Sequence, residues 1–188
     1  MFSLRLPRWV QAHLPRRRQA GRSLRERMRL VIELSRLNVE RGTGGPFAAG
    51  VFEIDTGRLI APGVNLVVPA GCSVAHAEIV AIILAQRVLG RWDLGAPDLE
   101  LVSSTAPCAM CLGAIAWSGV RRLVCGARGS DAERIGFDEG DKPARWVQSL
   151  RRRGVEVVQD VLRLQAVEVL RAYRDAGGVI YNGRPRCR

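Results

Sequence analysis

Two short stretches, His76-Ala77-Glu78 and Pro107-Cys108-Ala109-Met110-Cys111, restrict the possible folds of this 188-residue chain more than any other feature. Cys108 and Cys111 stand three apart, directly after a proline. Proline is favoured at the first position of a helix, where its missing N–H would have found no partner anyway. Pro107 therefore predicts a helix start, with both thiols on one face of the first turn. Unpaired N–H groups and the positive end of the helix dipole favour thiolates at such a place. His76 opens a second apolar helical run over residues 79–84, and a strand expected at 99–103 leads into the Cys108 helix. The chain must fold so that two helix starts come face to face.

Residue chemistry says why they should meet. Two thiolates at this spacing and a neutral imidazole are zinc ligands, and three of them leave one tetrahedral position open. Water there has its pKa lowered to about 7. Glu78, two residues beyond His76, is a carboxylate that can take the proton and return it to a leaving group. The competing expectation is a closed structural site in which Cys72, four residues before His76, supplies a fourth ligand. That arrangement gives Glu78 nothing to do.

The rest of the chain reads as one α/β domain. An apolar content of 47% and a charged content of 25% are ordinary for a globular protein. Ser23 is a helix N-cap for a run ending near residue 41. Residues 47–54 and 58–68 read as antiparallel strands around the turn Asp55-Thr56-Gly57. Asn65, on the second of these, carries an amide that can both donate and accept at the edge of a heterocycle. A strand at 99–103, the Cys108 helix to about 118 and a strand at 120–126 imply parallel pairing. The metal ligands then lie at strand ends, where open α/β sheets bind ligands. A polar loop at 130–140, a helix at 143–153, a strand at 155–161 and a helix at 163–175 complete the domain.

The net charge of +11 is unusual, and Lys142 is the single lysine among 29 basic residues. Residues 1–22 hold six arginines and no acid. They read as a disordered, solvated extension to a domain spanning 23–176, or as an arm that touches phosphates. Residues 177–188 form a tail. No apolar run has the form of a signal-peptide core or a membrane span. The remaining cysteines, Cys72, Cys125 and Cys187, are scattered, so the expectation is a cytoplasmic protein with reduced thiols.

His-x-Glu followed by Pro-Cys-x-x-Cys is the signature of zinc deaminases. The chain resembles the cytidine-deaminase-like superfamily and, within it, the small bacterial guanine deaminases. The matching residues are Gly44-Gly45-Pro46-Phe47, Asn65, His76-Ala77-Glu78, residues 107–115 with Trp117, and Gly136-Phe137-Asp138-Glu139. The resemblance implies an α/β fold of three layers, α/β/α, around a five-stranded mixed sheet, and a homodimer. It implies zinc on His76, Cys108 and Cys111, with Glu78 and Glu139 moving protons. Asn65, Phe47, Ala77 and Trp117 would surround the base, and Tyr181 would lie in a tail that covers the site. The implied reaction is hydrolytic deamination of a free nucleobase, guanine to xanthine with release of ammonia.

The chain departs from the family pattern at Ala106, where a Glu is usual, and in its Arg-rich start. Other expectations stay open. One is a deaminase of cytosine, guanosine or an aminotriazine. Another is a deaminase of adenosine in tRNA, which the basic charge would suit. A third is a binding module without catalysis, against which Glu78 beside a full ligand set argues.

Overall fold

The structure, a computed structural model, describes residues 4–14, 21, 23–96 and 98–182. The elements run α1 (Arg8–His13), α2 (Leu24–Glu40), β1 (Ala48–Glu53), β2 (Leu59–Val64), α3 (Ala77–Leu89), β3 (Leu99–Thr105), α4 (Ala109–Ser118), β4 (Arg122–Ala127), α5 (Gly129–Glu133), α6 (Trp146–Arg152), β5 (Glu156–Val158) and α7 (Arg163–Asp175). Ser23 caps α2 as its sequence predicts. Its side chain accepts from the Glu26 N–H at 3.3 Å, and Glu26 accepts from the Ser23 N–H at 3.0 Å, which satisfies two end donors reciprocally.

The strands form one mixed sheet in the order β2-β1-β3-β4-β5. β1 is antiparallel to both β2 and β3, while β3, β4 and β5 run parallel. Side chains alternate across the pleat. Val102 and Val124 join Met28, Val31 and Leu34 of α2 and Leu170 of α7 on one face. Leu99, Leu101 and Leu123 join Ala81 and Ala85 of α3, Ile115 of α4 and Leu150 of α6 on the other. Helices on both faces explain why these strands are buried almost throughout. This is the three-layer α/β/α architecture.

One close approach positions the site. A Cβ at Gly63 would lie 2.2 Å from the Ala77 carbonyl oxygen and 2.6 Å from the Ala81 nitrogen. Only glycine lets the first turn of α3 rest on the edge strand β2. Pro62 is tolerated in the same strand because an edge needs no second row of donors.

Three expectations need correction. Residues 4–14 are not a solvated extension, because Leu4 and Val10 are buried against the main core and α1 packs there. Spaced apolar residues among the arginines supply that contact. Arg16, Arg17, Arg18, Arg22, Cys187 and the basic residues of 184–188 lie outside the described residues. Pro107 does not begin α4, since Cys108 keeps extended dihedrals as the N-cap and the helix starts at Ala109. Within the expected loop at 130–140, α5 forms because Asp131 accepts from the Arg128 N–H at 2.9 Å and so caps the turn.

Candidate active site

His76 is the N-cap of α3, and Cys108 is the N-cap of α4. Both helix starts project from strand ends on one side of the sheet, so side chains 32 positions apart in sequence converge. His76 Nδ1 lies 3.6 Å from Cys108 Sγ and 3.7 Å from Cys111 Sγ. Zinc bonds of about 2.0–2.1 Å to nitrogen and 2.3 Å to sulfur at tetrahedral angles put N and S about 3.6 Å apart. The trio therefore fits a zinc ion, with its ligand atoms within 4.8 Å of one another. Cys72 is not among the converging groups. Its backbone closes a turn by bonding the Val67 carbonyl, and it packs at the margin of the other core, which overturns the four-ligand alternative.

The electrostatics suit a cation. The Cys108 thiol is lowered to about 4, first by the Cys111 thiol that donates to it and also by His76. Burial pushes the Glu78 carboxyl up, and the Cys108 charge adds to this. Burial likewise raises Glu139 to about 8, against the pull of Lys142, with Cys108 and Glu78 adding to the rise. A divalent cation among these groups would draw each carboxyl back toward its ionised form.

The neighbouring cavity has a volume of about 240 Å³. Ligand pockets commonly run to roughly 300–1,000 Å³, so this one suits a single small molecule. Asn65, Phe47, His76, Glu78, Cys108, Glu139 and Tyr181 all line it. The Asn65 Oδ1 accepts from the Val67 N–H at 3.2 Å, which turns the amide and leaves its NH₂ group facing the cavity without a hydrogen bond among the described residues. The Glu78 Oε1 accepts from the Ser103 hydroxyl at 3.3 Å. The Glu139 carbonyl accepts from the Ala109 N–H at 2.9 Å, so its backbone ties down the first turn of α4 while its carboxylate enters the cavity. Ala106 forms part of the wall, its N–H bonded to the Ala127 carbonyl at 2.8 Å.

Tyr181 reaches the cavity of its own chain. Its ring centroid lies 4.9 Å from that of Phe137 and 6.5 Å from that of His76. The side chain of Asn182 clips this tail in place, accepting from the Asp138 N–H and donating to the Gly136 carbonyl, each at 2.8 Å.

Two expected contacts fail. Trp117 is 85% exposed and lies outside the cavity. Cys111, Ile115 and Ser118 occupy the inner face of α4, and a residue six beyond Cys111 falls on the outer face. Ala77 is fully buried under α3 and does not line the cavity, because its side chain joins the apolar layer beneath. Sequence reasoning missed Phe137, Ser103 and Asn182 as parts of the site. Phe137 had a signal, its place in Gly136-Phe137-Asp138-Glu139; Ser103 and Asn182 had none.

A three-layer sheet that brings one imidazole, two thiols and two buried carboxyl groups to its strand ends is the framework of a zinc-dependent hydrolase. The family model described as "Cytidine and deoxycytidylate deaminase zinc-binding region" matches residues 22–127. The chain belongs to this family of zinc-dependent hydrolytic deaminases. It is 38% identical over 123 residues to the guanine deaminase of Bacillus subtilis (strain 168), covering 62% of this chain and 76% of that one. A solved structure of the guanine deaminase from Nitrosomonas europaea is 49% identical, with a TM-score of 0.87 over 93% of this chain and 97% of that one. Another solved structure, in complex with 2,6-diaminopurine, is 50% identical, with a TM-score of 0.88 and 97% of each chain covered.

Proposed function

We propose that the chain deaminates free guanine, with water, to xanthine and ammonia. The observation that carries this reading is the meeting of Glu78, Glu139 and Asn65 in one small cavity with His76 and Cys108 of the candidate zinc trio. The likeness to guanine deaminases over almost the whole chain supports the choice of base.

His76, Cys108 and Cys111 would hold zinc, which when bound would supply a Lewis acid that makes water acidic near neutral pH. Asn65 orients the purine through its free NH₂ group. Glu78 takes a proton from the attacking water as its oxygen adds to the carbon bearing the amine. Glu78 passes that proton to the ring nitrogen beside the attacked carbon, Glu78 and Glu139 relay the second water proton from the new hydroxyl to the exocyclic nitrogen, and ammonia departs as the carbonyl forms. Phe47 packs against the base, and Tyr181 with Asn182 closes the cavity over it.

Ammonia release decides the substrate. The panel is guanine, cytosine, guanosine, an aminotriazine, adenosine and bulk tRNA, with zinc quantified alongside. Guanine should give the largest kcat/KM; a larger value for any other member would replace guanine with that substrate. We also infer a homodimer, for which Trp117 and the groove between α4 and α6 offer an apolar surface. A single subunit mass in sedimentation would refute it. The four described cysteines are all unpaired, which suits a reducing cytoplasm.

A further inference from the structure

Asn38 lies on α2, far from both motifs in sequence, and is completely buried. Its side-chain nitrogen donates to the Gly45 carbonyl at 2.9 Å and to the Asn65 carbonyl at 3.0 Å. Both partners can only accept, so this end of the amide must be the NH₂. Its oxygen then accepts from the Thr43 hydroxyl at 2.8 Å. The Thr43 oxygen in turn accepts from the Trp9 indole N–H at 3.0 Å, a group that can only donate. The Thr43 hydroxyl also lies 3.3 Å from the Asn38 carbonyl, but the side-chain oxygen is the nearer acceptor, and the line runs from Trp9 in α1 to the backbone of Asn65 at the cavity. The Asn65 backbone has one further tie, from its N–H to the Phe47 carbonyl at 2.9 Å. A Cβ at Gly44 would lie 1.9 Å from the Asn65 oxygen and 2.6 Å from the Asn38 nitrogen, so the surrounding loop leaves the strand no slack.

We propose that the relay Trp9–Thr43–Asn38 sets the angle at which Asn65 meets the base, which makes helix α1 a part of base recognition. Asn38, Thr43 and Trp9 are positioning residues, since none of them lines the cavity. The inference rests on the proposed role of Asn65. A purely structural buttress would also be polar and buried. It would satisfy the same two backbone carbonyls, and the two roles differ in whether the Asn65 side chain moves when the relay is cut.

Trp9→Phe removes only the indole donor, keeping an aromatic ring under Arg41, whose guanidinium lies 5.6 Å from the ring centroid. Thr43→Val removes only the hydroxyl. Asn38→Asp turns an acceptor toward two carbonyl oxygens and is the severest change, though it risks the fold. Arg36→Ala, on the solvent side of the same helix, is the control. In zinc-loaded protein without substrate, the Asn65 side-chain amide resonance is identified by its loss in Asn65→Asp. It should shift in Trp9→Phe and Thr43→Val and stay still in Arg36→Ala. With guanine, the same two variants should raise KM about three- to tenfold, as expected for one lost hydrogen bond, with kcat within about twofold and zinc content unchanged. An unmoved resonance or an unchanged KM in both variants overturns the proposal. So does a joint loss of kcat and zinc, which marks a merely structural role. If the wild type releases no ammonia from guanine, the proposed substrate falls, while the resonance still decides the relay.

Discussion

Glu78 accepts one hydrogen bond from Ser103, and Glu139 Oε2 has none at all among the described residues. The ammonium Nζ of Lys142 stands 4.0 Å from it; a buried carboxylate oxygen without a hydrogen bond costs free energy, so it persists where a ligand or a transferred proton will meet it. Glu78→Gln keeps the shape and every metal ligand but cannot carry the proton. Zinc content by atomic emission should stay at the wild-type value, while kcat for ammonia release falls by about 10²–10⁴-fold. Asp131 makes a different prediction. Arg163 grips it through two bonds of 2.8 Å, and its carboxyl is lowered to about 2. A carboxyl depressed on folding contributes stability above its unfolded pKa, and this contribution is lost as pH falls through the folded value. Between about pH 4 and pH 2 the wild type should lose about 1–2 kcal/mol relative to Asp131→Asn, the size allowing for screening at the half-buried Arg163 and the exposed Arg134. Urea unfolding of both proteins across that range measures it.

Helix α3 rests on β2 through Gly63, and its N-cap, His76, is one of the three groups placed to hold zinc. Gly63→Ala would push a methyl group into the helix backbone and lever His76 away from the thiols. We expect a marked fall in zinc affinity, read by competition with a chelator, before any loss of secondary structure in circular dichroism. The buried charge cluster under the sheet carries another expectation. Glu100 bonds Arg27 and Arg122 with no exposure to solvent. Glu100→Gln should cost about 3–5 kcal/mol in chemical denaturation, because Arg27 loses this counter-charge in the interior while Arg122 keeps, among the described residues, only the exposed Glu156, 3.6 Å away. How far the elements were legible follows the same physics. Ser23, the helix at 163–175 and the two helix starts at the metal were readable because caps, apolar period and ligand spacing are local signals. The cap that Glu139 provides to α4 was not, since a backbone carbonyl has no sequence signature. Nor was the burial of Arg27 and Glu100, whose residue types usually mark a solvated face. Trp117 was misplaced because a shared motif fixes neighbours along the chain, while helical phase decides which of them face inward.

The charge of +11 is the most visible property of the whole molecule, and residues 1–22, which hold six arginines and no acid, include residues that serve the core. Val10 is fully buried. Val10→Ala should therefore destabilise the domain by about 1–3 kcal/mol, read from the shift in denaturation midpoint. A free extension would show no shift. At the opposite wall the Tyr181 hydroxyl sits against Gly45, where an added Cβ would come within 2.4 Å of it. One methyl group installed at that spot would evict the tyrosine without altering any acid, base or metal ligand. Enzyme engineers wishing to admit bulkier heterocycles thus have a single-codon handle at Gly45.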